Sequence, residues 1–195
     1  MDEIADRAEE DMTSSGMDRA VVVGLSMGGY AALSFWRRHR DRVLGLVLAN
    51  TRAGADDEAG KDRRRALAAR LRDEGSAFLV QSPPPLLSSN ASDELWARVR
   101  DVIRAQPAEA IAAASLGMAE RVDSTDDLAG IDVPTLVVTS TGDTLIPPDA
   151  TTPMASQIPG ARLEILEGAG HLSNLEAAEE FNRLLHQQAV RCGVG

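Results

Sequence analysis

Ser26 sits in Gly24-Leu25-Ser26-Met27-Gly28, between a β-branched run, Val21-Val22-Val23, and a stretch of helical character over 28–39. A serine at the tip of a tight strand-to-helix turn has a strained backbone and an exposed hydroxyl, the setting in which it acts as a nucleophile. Side chains two residues either side of it would collide with the turn, so Gly24 and Gly28 are expected to supply the missing bulk. The helix that starts there also aims free N–H groups, and the positive end of its dipole, at a developing oxyanion. These glycines do not make a phosphate loop, because Gly29 is followed by Tyr30 rather than by Lys and Ser/Thr, and their spacing does not fit the dinucleotide fingerprint. Without that chemistry the segment is a Gly-rich turn carrying an ordinary serine.

Serine is a weak nucleophile at neutral pH, so it needs a base, and the base needs an orienting acid. Of three histidines, His39 ends a helix in Arg37-Arg38-His39-Arg40 and is expected to face water, while His186 lies mid-helix beside Leu184 and Leu185. His171 follows a strand, in the small-residue loop Glu167-Gly168-Ala169-Gly170-His171, before a helix opening at Ser173. Ligands of an open parallel sheet bind off the carboxyl ends of its strands, which puts Ser26 and His171 on one rim. The acid is expected at a third strand end between them, and Asp143 stands there, after Pro134–Thr139, in Thr139-Ser140-Thr141-Gly142-Asp143. Asp123, Asp126, Asp127 and Asp132 precede that strand, at its wrong end. Asp143 also fits a simple turn aspartate after Gly142, but with Ser26 and His171 in place the triad is the preferred reading.

The elements that must position these residues alternate. Residues 2–15 read as a helix stopped at Gly16, and the Val21–Val23 run as a strand buried on both faces. Val43–Ala49, Pro134–Thr139 and Arg162–Leu166 add three more buried strands, with helices expected over about 149–157 and 173–190. Strands alternating with helices imply an α/β fold, a parallel sheet with helices on both faces. The section 53–121 breaks the rhythm: it is charged at first, passes through Pro83-Pro84-Pro85, and continues in Ala-rich amphipathic segments near 92–105 and 107–119. It reads as an inserted helical block, giving three parts, a core at 1–52, the block at 53–121 and a second core part at 122–195. Arg63-Arg64-Arg65 within it reads as a solvated helix face.

Composition bounds the partners. With 20 Lys+Arg against 30 Asp+Glu, the net charge of −10 argues against nucleic acid and against an anionic membrane surface. The single Cys192 cannot form an internal disulfide or a zinc cluster. The acidic start, Met1-Asp2-Glu3, has no signal-peptide character and no apolar run spans a bilayer, so a cytoplasmic protein is expected. The acidic total also predicts weak long-range repulsion of strongly anionic substrates.

On these residues the chain resembles the α/β-hydrolase superfamily. The elbow Gly-Leu-Ser-Met-Gly-Gly, the strand Arg42-Val43-Leu44-Gly45-Leu46-Val47-Leu48-Ala49-Asn50-Thr51, Gly142-Asp143-Thr144-Leu145-Ile146-Pro147-Pro148 and Gly170-His171-Leu172-Ser173-Asn174-Leu175-Glu176 look like the 3-oxoadipate enol-lactonase branch and its carboxylesterase relatives. The resemblance implies Ser26 as nucleophile, Asp143 as acid, His171 as base and the Met27 N–H as one oxyanion donor. It implies a small ester or lactone as substrate, with no metal or organic cofactor, and the block at 53–121 as the family's cap. A serine at position 26 argues against the haloalkane dehalogenase branch, whose nucleophile is an aspartate.

The chain departs from the family ahead of Ser26. Only 25 residues precede it, room for one helix and one strand, so the sheet is expected to be truncated at its amino-terminal side and to lack the His-Gly loop that supplies a second oxyanion donor. Losing such a donor lowers turnover on the order of a hundredfold or more. The Val21–Val23 strand then becomes an edge that invites a homo-oligomer. Three rival readings stand beside ester hydrolysis: a weak or inactive fragment, a cofactor-free haloperoxidase or perhydrolase, and an interaction module that uses the apolar edge strand for a partner chain.

Overall fold

A computed structural model describes residues 1–194 of the 195-residue chain. α1 (Asp2–Ser14) leads into β1 (Ala20–Leu25), and α2 (Met27–Arg38) carries the chain from there to β2 (Val43–Ala49). Four helices follow without a strand: α3 (Glu58–Glu74), α4 (Ala77–Gln81), α5 (Asp93–Ala105) and α6 (Ala108–Ala119). β3 (Thr135–Ser140), α7 (Pro148–Gln157) and β4 (Arg162–Leu166) restore the alternation, and α8 (Ser173–Glu176) and α9 (Ala178–Arg191) close it. The four strands pair in parallel in the order β1-β2-β3-β4.

Side chains alternate across a strand, and that period sorts the core into two layers. Leu46 and Leu48 of β2 and Val137 of β3 pack with Leu33 and Trp36 of α2 and Met154 of α7. Val47 and Ala49, with Leu136 and Val138, face the other way, onto Phe181 and Leu184 of α9. β2 and β3 are therefore buried on both faces, as their unbroken apolar runs require. The block between them has its own small cluster, with Ala68 and Leu71 of α3 against Ala112 of α6. Its helices carry their own start signals: the Asp57 carboxylate accepts from the Gly60 N–H at 2.7 Å, and the Ser92 hydroxyl from the Leu95 N–H at 3.2 Å.

Two expectations need correction. β1 and β4 are not buried on both faces, because they are the sheet's edges; Val23 is 49% exposed and Ile165 45%. The apolar run marks the strand but not its depth. The helix expected over 173–190 is broken at Ala177 (φ −120°, ψ 46°). The Glu176 carboxylate accepts from the Ser88 N–H (3.0 Å), the Ser88 hydroxyl (2.6 Å) and the Gly170 N–H (2.8 Å). Those contacts tie α8 to neighbouring loops instead of to the axis of α9. Among the described residues no helix is long and apolar enough to cross a membrane.

Candidate active site

Ser26 is the single residue between β1 and α2, and its backbone lies at φ 54°, ψ −117°. A non-glycine residue there costs about 1–3 kcal/mol and persists only when its surroundings hold it. Here the Ser26 N–H donates to the Ala49 carbonyl at 2.9 Å, while its own carbonyl accepts from the Gly29 N–H (2.9 Å) and the Thr51 hydroxyl (2.8 Å). A Cβ on Gly24 would lie 2.2 Å from the Gly28 carbonyl oxygen, so Gly24 is obligatory. Gly28 is not: a Cβ there meets no described atom within 4 Å. The second close approach belongs to Gly29, where a Cβ would lie 2.4 Å from the Thr51 side chain. As the first residue of α2, Met27 has an N–H with no acceptor one turn earlier in its own helix.

Asp143 and His171 meet, both buried, at 2% and 1% exposure. His171 Nδ1 lies 2.8 Å from Asp143 Oδ2. The same oxygen accepts from Asn50 Nδ2 at 2.9 Å, and Oδ1 accepts the N–H groups of Leu145 and Ile146, both at 2.9 Å. Burial pushes the Asp143 carboxyl up, but the His171 contact, the Ile146 N–H and Asn50 together outweigh it and hold it below the ordinary carboxylate range. An ionised carboxylate only accepts hydrogen bonds, so Nδ1 must carry the proton and Nε2 is left as the basic nitrogen.

Asn50, which the sequence did not single out, organises this corner. It occupies φ 45° directly after β2, donates also to the Ser140 hydroxyl at 2.7 Å, and accepts from the Ser173 hydroxyl at 2.6 Å. Ser140 in turn donates to the Gly170 carbonyl at 2.7 Å, next to His171. One asparagine thus ties the ends of β2 and β3 to the histidine loop.

Ser26, Met27 and His171 line one cavity of about 560 Å3, enclosed by Tyr30, Leu86, Met118 and Ile146 among others. Its remaining wall is charged. Asp56, buried at the end of the β2–α3 connection, is hydrogen-bonded by Arg52, by Arg64 and, at 2.9 Å, by Arg121. Burial alone would raise the Asp56 carboxyl, yet Arg121 and Arg64 hold it far below the usual range. Arg121 also stacks over the Tyr30 ring at 4.2 Å. Arg64 is therefore not part of a solvated face: it turns inward to Asp56 and donates to Met118 Sδ at 3.2 Å. Only tertiary packing could reveal this, since each arginine reads locally as surface charge.

The other histidines lie elsewhere. His39 does not simply face water; its Nε2 sits 2.9 Å from Asp6 Oδ1 of α1. His186 is exposed on α9. Among the described residues no three His, Cys, Asp or Glu side chains converge as a metal site would need.

Comparison with known proteins agrees with this architecture. A family model described as "Alpha/beta hydrolase family" matches residues 2–184. The pimeloyl-(acyl-carrier protein) methyl ester esterase of Neisseria meningitidis serogroup B is 32% identical over 175 residues, 85% of this chain and 67% of that protein. A thermophilic esterase from Thermogutta terrifontis, solved with malate bound, superposes with a TM-score of 0.92 at 37% identity, covering 96% of this chain and 71% of that one. The enol-lactonase from Burkholderia xenovorans LB400 gives 0.86 at 28%, covering 95% and 71%. The chain spans about two thirds of the length of the curated relatives it matches, 65% and 67% of the first two.

Proposed function

The chain belongs to the alpha/beta hydrolase family, and from that premise we propose that it is a serine hydrolase of carboxylic esters or (enol-)lactones, akin to 3-oxoadipate enol-lactonases and acting in the cytoplasm. Ser26 is the nucleophile, His171 the base, Asp143 the acid that orients it, and the Met27 N–H an oxyanion donor. Esterases and an enol-lactonase among the similar proteins support this reading.

The observation that carries it is the 2.8 Å contact between His171 Nδ1 and Asp143 Oδ2, with Ser26 and His171 lining one cavity. Three other donors, Asn50 Nδ2 and the Leu145 and Ile146 N–H groups, favour Asp143 as the carboxylate, an acceptor that asks for the imidazole proton on Nδ1 and leaves Nε2 free to take a proton on the cavity that Ser26 lines. In the reaction the Ser26 hydroxyl proton passes to Nε2 as Oγ bonds the substrate carbonyl carbon. The tetrahedral oxyanion meets the Met27 N–H and the positive end of α2. Collapse breaks the ester or lactone C–O bond, and the leaving oxygen takes the proton from Nε2, leaving an acyl-serine. Water then loses a proton to Nε2 as it attacks the acyl carbon. The second collapse returns that proton to Ser26 Oγ and releases the carboxylic acid. No step calls on a metal or organic cofactor.

Ser26→Ala is expected to abolish cleavage of a short p-nitrophenyl ester and labelling by a fluorophosphonate probe. A variant labelled as well as the parent would refute the nucleophile assignment. Peroxide-dependent halogenation faster than ester hydrolysis would move the activity to the perhydrolase class.

A further inference from the structure

Pro84 and Leu86 line the cavity together with Ser26 and His171. Both belong to the strap 83–90 that joins α4 to α5 within the helical block, yet the strap is fastened to the core. The Leu172 N–H, one residue past His171, donates to the Leu86 carbonyl at 2.8 Å. Leu87 and Ser88 are buried, and the Ser88 backbone rests directly on Gly170. A Cβ on Gly170 would lie 2.2 Å from the Ser88 nitrogen, so only a glycine fits between the strap and the histidine loop.

Glu176 is the residue that the two segments share. Its Oε1 accepts from the Gly170 N–H at 2.8 Å and from the Ser88 N–H at 3.0 Å, and its Oε2 accepts from the Ser88 hydroxyl at 2.6 Å. Gly170 directly precedes His171, and its carbonyl accepts from the Ser140 hydroxyl at 2.7 Å. Both backbone polar groups of the residue before the base are thus held, one from the end of β3 and one by Glu176. Exposed glutamates of this chain pair with arginines, Glu109 with Arg72 and Glu180 with Arg183. Glu176 has no such partner among the described residues and serves two loops instead. Without it the N–H groups of Gly170 and Ser88, both buried residues, lose their acceptor, and the loops must shift to satisfy them. A reacting group displaced by about 1 Å loses on the order of a hundredfold in rate.

We propose that Glu176 is a positioning residue for ester hydrolysis: it locks the Pro84–Leu86 wall of the cavity onto the loop that carries His171, so that the base and the surface against which the substrate rests keep one geometry. This rests on the serine-hydrolase reading of the same cavity and adds to it a residue that touches neither substrate nor nucleophile.

The test follows hydrolysis of p-nitrophenyl acetate, with kcat expressed per site titrated by a fluorophosphonate so that misfolded molecules do not count. Glu176→Ala is expected to lower kcat by about tenfold or more and to raise KM, because base and wall are loosened together. Glu176→Gln should recover most of that loss. Its amide oxygen can take both N–H groups, and its NH2 can donate to the Ser88 hydroxyl, which also accepts. A glutamate that only stabilised the fold would change Tm and the titratable fraction while kcat per site stayed at the parent's value, and that result overturns the proposal. Failure of glutamine to recover the loss overturns it as well, since acceptors in the right place are what the geometry requires. Ser88→Ala removes one of the strap's own bonds to the carboxylate and leaves the Gly170 contact in place. It should raise KM, by up to about tenfold, more than it lowers kcat. That variant decides the matter if Glu176→Ala fails to fold, an unchanged KM being the refuting result. Hydrolysis that depends on Ser26 but is indifferent to Glu176 and Ser88 overturns the positioning role and leaves the hydrolase reading intact. Hydrolysis that survives Ser26→Ala overturns that reading and the role of Glu176 with it.

Discussion

Asp143 illustrates how a single side chain is set by opposing effects. Its burial favours the neutral acid, but hydrogen bonds from His171, Ile146 and Asn50 favour the anion by more. Asp143→Asn is therefore expected to do more than weaken one contact. An asparagine can donate to Nδ1, moving the imidazole proton to Nε2 and disarming the base, so kcat should fall on the order of 10³–10⁴-fold with the circular dichroism spectrum retained. Asn50→Gly keeps a residue suited to φ 45° but removes three side-chain hydrogen bonds. A stability loss of about 1–3 kcal/mol in urea titration is the expected result. Ser26, Asp143 and His171 could be nominated from the sequence because each follows a strand-forming run, a signal of one dimension, and the structure puts Asp143 against His171 and lines one cavity with Ser26 and His171. Asn50 could not, since an asparagine after a strand looks the same whether it faces water or anchors a buried network. Asp56 and its arginines were hidden for the same reason: their charges partner across more than sixty residues at the farthest, and local charge pattern reads them as solvated.

At the scale of elements, the turn between β1 and α2 depends on backbone approach and not on a pattern of glycines. Gly24→Ala and Gly29→Ala should each disrupt it, because the added methyl meets the Gly28 carbonyl or the Thr51 side chain. Gly28→Ala meets no described atom, and alanine is the better helix former by up to about 1 kcal/mol. Thermal unfolding of the three variants should rank Gly28→Ala at or above the parent and the other two well below it. The strands were legible from apolar runs, and β2 falls on the residues read from the sequence, Val43–Ala49. The break at Ala177 was not legible, because neither Gly nor Pro marks it. What bends the chain there is Glu176 reaching Ser88, a partner supplied by the fold.

For the whole molecule, pH links these sites to stability. Asp56 and Asp143 both have folded-state pKa values below the ordinary carboxylate value. Such groups contribute stability that is present above the unfolded value, about 4, and is lost as pH falls below it toward their folded values. Urea midpoints should therefore hold from neutral pH down to about 5 and then drop steeply toward about 3. A midpoint that stays level through that range would mean that neither carboxylate is held as its contacts indicate.

Among the described residues β1 pairs with β2 alone. In a parallel ladder successive N–H groups point to opposite sides of the strand, so every second amide of β1 has no partner strand to meet. Deuterium uptake should accordingly alternate residue by residue along Val21–Leu25, where the register with β2 is regular, fast then slow, while Leu46–Ala49 of β2, flanked on both sides, take up label slowly throughout. A flat uptake profile along β1 in dilute solution would mean that another backbone has zipped onto its outer margin.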